Sequence, residues 1–407
     1  MRINYIKIGK NNKGGNLNMK KTKRQNGITL VALVITIIIL LILATISIQS
    51  LTNTGLFKKA QEAKEKTQNA TENQAKMLNE YEDELNKYIS GTVKETFKGT
   101  TVADAIQYGD VLNKDDNTEL HDAYGNKIVV PAGFKITNDA TTVDKGIVIE
   151  DVTSGATAGS QFVWVPVGKI YTDTTRTDAN SKTINLNRYT FNENGNPTAQ
   201  GENIISNYYQ ELSSSDKGTT VSKNITDFKN SVSTNGGYYI GRYEARTTTK
   251  RTAEGNALTQ ITEKGTDQIY NYVKQSQAAK LSQEMYNSNK FTSDLMNSYA
   301  LDTATLFLQT CGTNSKYSRQ TKVSSALSQT GTNTQSTKDV QCNVYDMASN
   351  TREWTTETYD NSDIPCVKRG GSYNGSISYT SNRFNNNPSN SYDSIGFRPL
   401  LFVGLNS

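Results

Sequence analysis

Histidine is almost missing from this 407-residue chain, where His121 is the only one. No site that needs two or three imidazoles can be assembled within one copy, and His121 reads as an ordinary surface residue. Cysteine is scarce too. Cys311, Cys342 and Cys366 have no metal-ligand spacing, and their odd number leaves at least one thiol unpaired, so disulfides are not the main support of the fold. Hydrophobic residues make up only 35% and charged residues 20%, while Asn, Ser, Thr and Tyr abound, a balance that suits an exported, loop-rich fold. Acidic residues are absent from positions 1–27, which hold Arg2, Lys7, Lys10, Lys13, Lys20, Lys21, Lys23 and Arg24. The whole chain is +5, so removing those eight cations leaves residues 28–407 at −3. The basic character belongs to the leader, and nucleic-acid binding loses its basis.

The leader gives way to an apolar run. Residues Ile28–Ile48 carry no charge for 21 positions, enough at about 1.5 Å per residue to cross a hydrocarbon core of roughly 30 Å. The cations just before it keep the N-terminus cytoplasmic and send the rest outside, to a cell-membrane location with the ectodomain extracellular. A cleaved secretory signal would have a shorter apolar region and a small-residue cleavage site. The stretch KKTKRQNG followed by ITLVALVITIIILLILA resembles a type IV prepilin signal. That resemblance implies processing between Gly27 and Ile28, with Met1 or Met19 as the start. Ala32 stands at the fifth mature position, where pilins usually have Glu, so membrane insertion is implied more strongly than assembly into a filament.

Residues 56–90 place Leu56, Ala60, Ala63, Ala70, Met77, Tyr81, Leu85 and Tyr88 near a 3.5-residue period, which predicts a helical stalk continuous with the span. Residues 91–124 read as a polar linker. Short strands are expected over 126–134, 146–150 and 161–167, where apolar runs are bounded by Gly, Asp or Pro. Helices are expected near 269–287 and 293–310. The Thr-, Asn- and Ser-rich stretches 168–235 and 312–338 read as loops.

Five motifs then fall in order: Phe162-Val-Trp-Val-Pro-Val, Gly237-Tyr-Tyr-Ile-Gly-Arg-Tyr-Glu-Ala, Asn343-Val-Tyr-Asp-Met-Ala-Ser-Asn-Thr-Arg-Glu-Trp-Thr, Arg369-Gly-Gly-Ser-Tyr and Gly396-Phe-Arg. Together they resemble the formylglycine-generating enzyme, or sulfatase-modifying factor, family. The resemblance implies an α+β ectodomain of C-type-lectin-like fold over 125–407, following the transmembrane and stalk helix of 28–90. It also implies a structural calcium, carried to Asn350 and Glu353; a Glu353 salt-bridged inside the fold is the alternative. No other cofactor is required.

Catalytic members of that family carry two cysteines shortly after the Arg-Gly-Gly-Ser motif. This chain reads RGGSYNGSISYTSNRF there, and Asn, Ser and Tyr cannot do thiolate chemistry. No enzyme activity is expected. From Ser372 to Ser394, sixteen of 23 residues are Ser, Asn or Tyr, the composition of a recognition surface in which Tyr gives rigid contact area and Ser and Asn give adaptable hydrogen bonds. The segment also resembles the variable region of target proteins of diversity-generating retroelements. A polar surface loop that simply favours Asn and Ser is the alternative. The candidate contacts are Tyr373, Asn374, Ser376, Ser378, Tyr379, Asn382, Phe384, Asn385, Asn387, Asn390, Tyr392 and Asp393. The expected function is a membrane-anchored, surface-displayed binder of a protein or glycan, with a minor pilin subunit as the structural alternative.

Overall fold

The computed structural model describes residues 30–49, 59, 61–71, 73–74, 76–78, 96–200, 225–331, 339–358, 364 and 366–404. The chain divides into two units, Met1–Lys94 and Glu95–Ser407. In the first, a helix runs over Leu30–Gln49 without an acidic or basic residue in its terminal turns. Its side chains are described only over 32–43, and among the described residues no helix is long and apolar enough to cross a membrane. Helical backbone recurs over 61–71. Gly27 and Ile28 lie outside the described residues.

The second unit is a mixed α and β fold. Its strands are β1 (Thr118–His121), β2 (Lys127–Val130), β3 (Phe134–Ile136), β4 (Val148–Asp151), β5 (Gln161–Pro166), β6 (Gly168–Tyr171), β7 (Ser181–Ile184), β8 (Tyr189–Phe191), β9 (Pro197–Ala199) and β10 (Gly237–Gly241). Then come β11 (Arg246–Thr247), β12 (Gln268–Ile269), β13 (Phe291–Leu295), β14 (Val340–Gln341), β15 (Val344–Tyr345), β16 (Arg352–Thr358), β17 (Cys366–Arg369), β18 (Arg383–Asn386), β19 (Ile395–Phe397) and β20 (Pro399–Val403).

Six strands form the central sheet in the order β13-β20-β10-β5-β4-β3. Both of its faces are buried, because alternate side chains go to opposite sides. Phe162 and Trp164 of β5, Tyr239 of β10 and Leu401 of β20 enter one apolar cluster. Val163, Val165, Tyr238, Ile240, Leu400 and Phe402 enter the other. The helix Gln275–Met285 feeds the first cluster through Ala278, Ala279, Leu281 and Met285. The helices Ile225–Asn235 and Ser298–Cys311 feed the second through Phe228, Val232, Leu301, Ala304 and Phe307. A four-stranded sheet, β18-β17-β16-β19, adds Trp354, Ile395 and Phe397 to the first cluster. Its β16–β19 pair is parallel.

Three sequence expectations need correction. Residues 96–124 are not a linker. Thr101 and Asp104 make a reciprocal capping box that starts a short helix, Val102–Tyr108, burying Val102 and Ala105, and β1 pairs with β2. Leu112 and Leu120 complete the burial that ties this stretch to the core. The helix expected from Ser293 begins at Ser298 instead, because Asn297 caps it by accepting from the Ala300 N–H at 2.9 Å, and Phe291–Leu295 pairs along β20 as an edge strand. The loops expected over 168–235 contain two hairpins, β6–β7 and β8–β9, and the helix Ile225–Asn235.

Candidate ligand-binding site

Four charged side chains, one of them Arg383 within the segment, hold residues 372–394. Arg369 of β17 donates to Asp302 at 2.5 Å, to Glu357 at 3.0 Å and to the Asn382 carbonyl at 3.0 Å. Arg383 of β18 donates to Glu357 at 2.8 Å and to the other oxygen of Asp302. Two cations and two anions thus close a ring in which Arg369, Asp302 and Glu357 are fully buried. Arg383 is fixed further by the Tyr189 carbonyl at 3.2 Å.

Backbone clearance supplies the second restraint. Gly370 has φ +79°, and a Cβ there would lie 2.6 Å from the Met347 carbonyl oxygen. At Gly371 a Cβ would lie 2.0 Å from the Ala348 oxygen. No side chain fits either approach, so the Arg-Gly-Gly motif presses directly on the 346–350 turn. From the other side, Lys322 donates to the carbonyls of Tyr373 and Gly375 at 2.8 and 2.6 Å, and the Thr380 N–H reaches the Gln320 carbonyl at 3.1 Å.

The expected contact residues divide on this support. Asn374, Ser376, Asn387 and Tyr392 are exposed; Tyr373, Tyr379, Asn382, Phe384, Asn385, Asn390 and Asp393 are half-buried; Ser378 is buried. Tyr373 donates to Asp393 at 2.6 Å, and burial together with that bond pushes its hydroxyl up to about 12. The Tyr379 ring lies 3.6 Å from the Arg319 guanidinium carbon, and the Phe384 ring 4.4 Å from that of Arg352. Ser378 accepts from Arg352 at 3.1 Å. Asn382 serves through its carbonyl, the partner of Arg369. Arg319, Arg352, Lys368 and Ile377 were not among the sequence candidates. Ile377, the most exposed large apolar residue of the segment, could have been found from its isolation among polar neighbours; the three cations depend on strand register or on a distant loop.

Asn350 and Glu353, the expected calcium ligands, are engaged by other partners. Glu353 accepts two bonds from Arg398 at 2.6 and 3.0 Å, with both side chains buried. Burial pushes its carboxyl up while the Arg398 charge pulls it down, and burial prevails. Asn350 accepts from the Ser328 N–H at 2.8 Å and donates to Glu244 at 2.5 Å. Among the described residues no group of three or more His, Cys, Asp or Glu side chains is placed to hold a metal. Glu353 makes the internal salt bridge, the alternative reading, while Asn350 is held by Ser328 and Glu244.

The cysteines stand away from thiolate chemistry. Burial pushes the Cys311 thiol up to about 12 and raises Cys342 as well, and the buried Cys366 thiol donates to the side-chain oxygen of Gln275 at 3.2 Å.

Residues 276–401 match the model of the sulfatase-modifying factor enzyme 1-like domain. The matched span includes the charged ring, both glycines and the whole segment, and stops within β20. The motifs at Phe162 and Gly237 lie outside it, although β5 and β10 pair in the central sheet. A solved structure, Treponema denticola variable protein 1, is similar at 14% identity and a TM-score of 0.30, over 61% of this chain and 98% of that one. No curated protein matches the chain.

Proposed function

We propose that this chain is a non-catalytic, membrane-anchored binding protein that recognises a surface ligand, a protein or glycan, through residues 373–393. One observation carries the reading: a half-buried stretch with several exposed side chains sits between buried flanks. Ile377 is 77% exposed and Tyr392 52%, whereas Arg369 before them and Phe397 after them are fully buried. Exposed aromatic and aliphatic side chains among Asn and Ser are the material of binding hot spots. The absence of cysteine between Ser372 and Ser394 and the raised thiols elsewhere support binding over oxidation. Anchoring rests on the uncharged Ile28–Ile48 run behind its basic leader, and diversification of the segment on its Asn, Ser and Tyr content.

The test uses the full chain displayed on cells. A variant with Ile377, Asn387 and Tyr392 changed to Ser is compared with the parent on panels of glycans and extracellular proteins. Loss of a parental signal with an unchanged melting temperature supports the reading; an identical binding profile overturns it. Mass spectrometry of the membrane-bound chain tests the anchor, with Ile28 the expected N-terminus, and sequencing across sibling cells tests diversification, with changes confined to 373–393.

A further inference from the structure

The two faces of the four-stranded sheet differ in how their charges are matched. Side chains alternate along a strand, and directly paired residues on neighbouring strands share a face. Glu353, Glu357, Arg369 and Arg383 occupy one face, where every cation has a carboxylate partner. The other face carries Arg352 and Trp354 of β16, Lys368 opposite Trp354, and Phe384 opposite Lys368. Trp354 is buried, while Arg352, Lys368 and Phe384 remain partly open to solvent. Neither cation on this face has an acidic partner among the described residues.

Arg352 lies against the Phe384 ring and spends one terminal nitrogen on Ser378. Its Nε is buried and has no hydrogen-bond partner. The Lys368 amine makes no hydrogen bond or ion pair with another described residue. Burial, and then the positive charge of Arg352, push its amine down to about 8; burial lowers Arg352 as well. Asn386 lies two residues beyond Phe384 and so on the same face. It is only 8% exposed, and its Nδ2 has no partner although its oxygen accepts from the Asn387 N–H at 3.0 Å. Asp393, the acid within the segment, is engaged by Tyr373.

Two like charges half out of water, with donors left unsatisfied beside an aromatic ring, are costly unless an anion joins them. A guanidinium stacked on a ring keeps its edge free for a planar oxyanion, and a neighbouring ammonium adds a point charge. We propose that Arg352, Lys368 and Asn386, floored by Phe384, form an oxyanion subsite that takes a carboxylate or sulfate group of the ligand. The proposal rests on the reading that residues 373–393 bind a ligand, since Ser378 and Phe384 belong to both.

The experiment reads Lys368 directly. The full chain in detergent is treated with an amine-acylating ester, and modification of each lysine is followed by peptide mass spectrometry in chloride, acetate or sulfate at constant ionic strength. An anion at about ten times its Kd should slow Lys368 acylation about tenfold while exposed Lys114 is unaffected. Protection by acetate assigns a carboxylate, and protection by sulfate alone assigns a sulfate ester. In Arg352→Gln the protection should disappear with the melting temperature retained. Equal rates in all three salts, or protection that persists in Arg352→Gln, overturns the subsite. This readout needs no macromolecular ligand: protection in a chain whose segment variants leave its binding profile unchanged would sink the broader reading and spare the subsite, while lost binding in those variants without protection would do the reverse.

Discussion

Arg369 and Asp302 are each fully buried and meet at 2.5 Å, joining the strand before the 372–394 segment to the helix Ser298–Cys311. Asp302 also takes Arg383, which lies within that segment. One carboxylate therefore ties the strand before the segment to a strand within it. Asp302→Ala leaves two guanidinium groups short of an anion in a dry site, and removing one partner of such a group costs about 3–5 kcal/mol. Urea denaturation should show a loss of that size. A change below about 1 kcal/mol, the value of an exposed pair, would mean that the ring does not form.

Scaffold and face should respond oppositely to substitution. Gly371→Ala drives a methyl group to 2.0 Å from the Ala348 oxygen, and a substitution the backbone cannot accommodate should cost more than about 1 kcal/mol. Ile377→Ser touches a residue that is 77% exposed and should stay within about 0.5 kcal/mol of the parent. Thermal unfolding of the two variants side by side checks the contrast.

Glu244 makes stability depend on pH. Its carboxylate accepts from the Thr351 N–H at 2.8 Å and the Thr351 hydroxyl at 2.6 Å, yet burial raises it from 4.5 to about 7 against the opposing charge of Arg246. Between those values the folded chain holds a proton that the unfolded chain has released. Stability should therefore fall as pH rises from about 4.5 to about 7 and level off above that. Glu244→Gln should flatten this slope in denaturation curves taken across the window; an unchanged slope would show that Glu244 titrates normally.

The thiols should be silent in the native state. Cys311 and Cys342 are raised by burial, and Cys366 is buried. An aromatic disulfide reagent at pH 8 should label none of them quickly and all three after unfolding. Incubation of the full chain with copper and a cysteine-containing sulfatase-motif peptide should yield no aldehyde. Turnover above background would implicate one of these cysteines in catalysis.

Much of the architecture is legible in the sequence wherever the deciding interactions are local. The bounded apolar run marks 161–167 as a strand, and Phe162 and Trp164 part from Val163 and Val165 to opposite sides of the sheet. The paired glycines after Arg369 announce a tight backbone approach, which Gly370 and Gly371 make. The Thr101–Asp104 capping box is an equally local signal, hidden inside a stretch whose polar composition reads as a linker. Composition singles out 373–393, but composition cannot say which of its aromatics face water. That was decided by Arg319 and Arg352, which cover Tyr379 and Phe384 and leave Tyr392 open. Only the tertiary structure could join Asp302 to Arg369 and Arg383, 67 and 81 positions along the chain, or turn Glu353 toward Arg398. Electrostatic partners are chosen by distance in space and by low local dielectric, and a sequence specifies neither until strand register has brought distant charges onto one face.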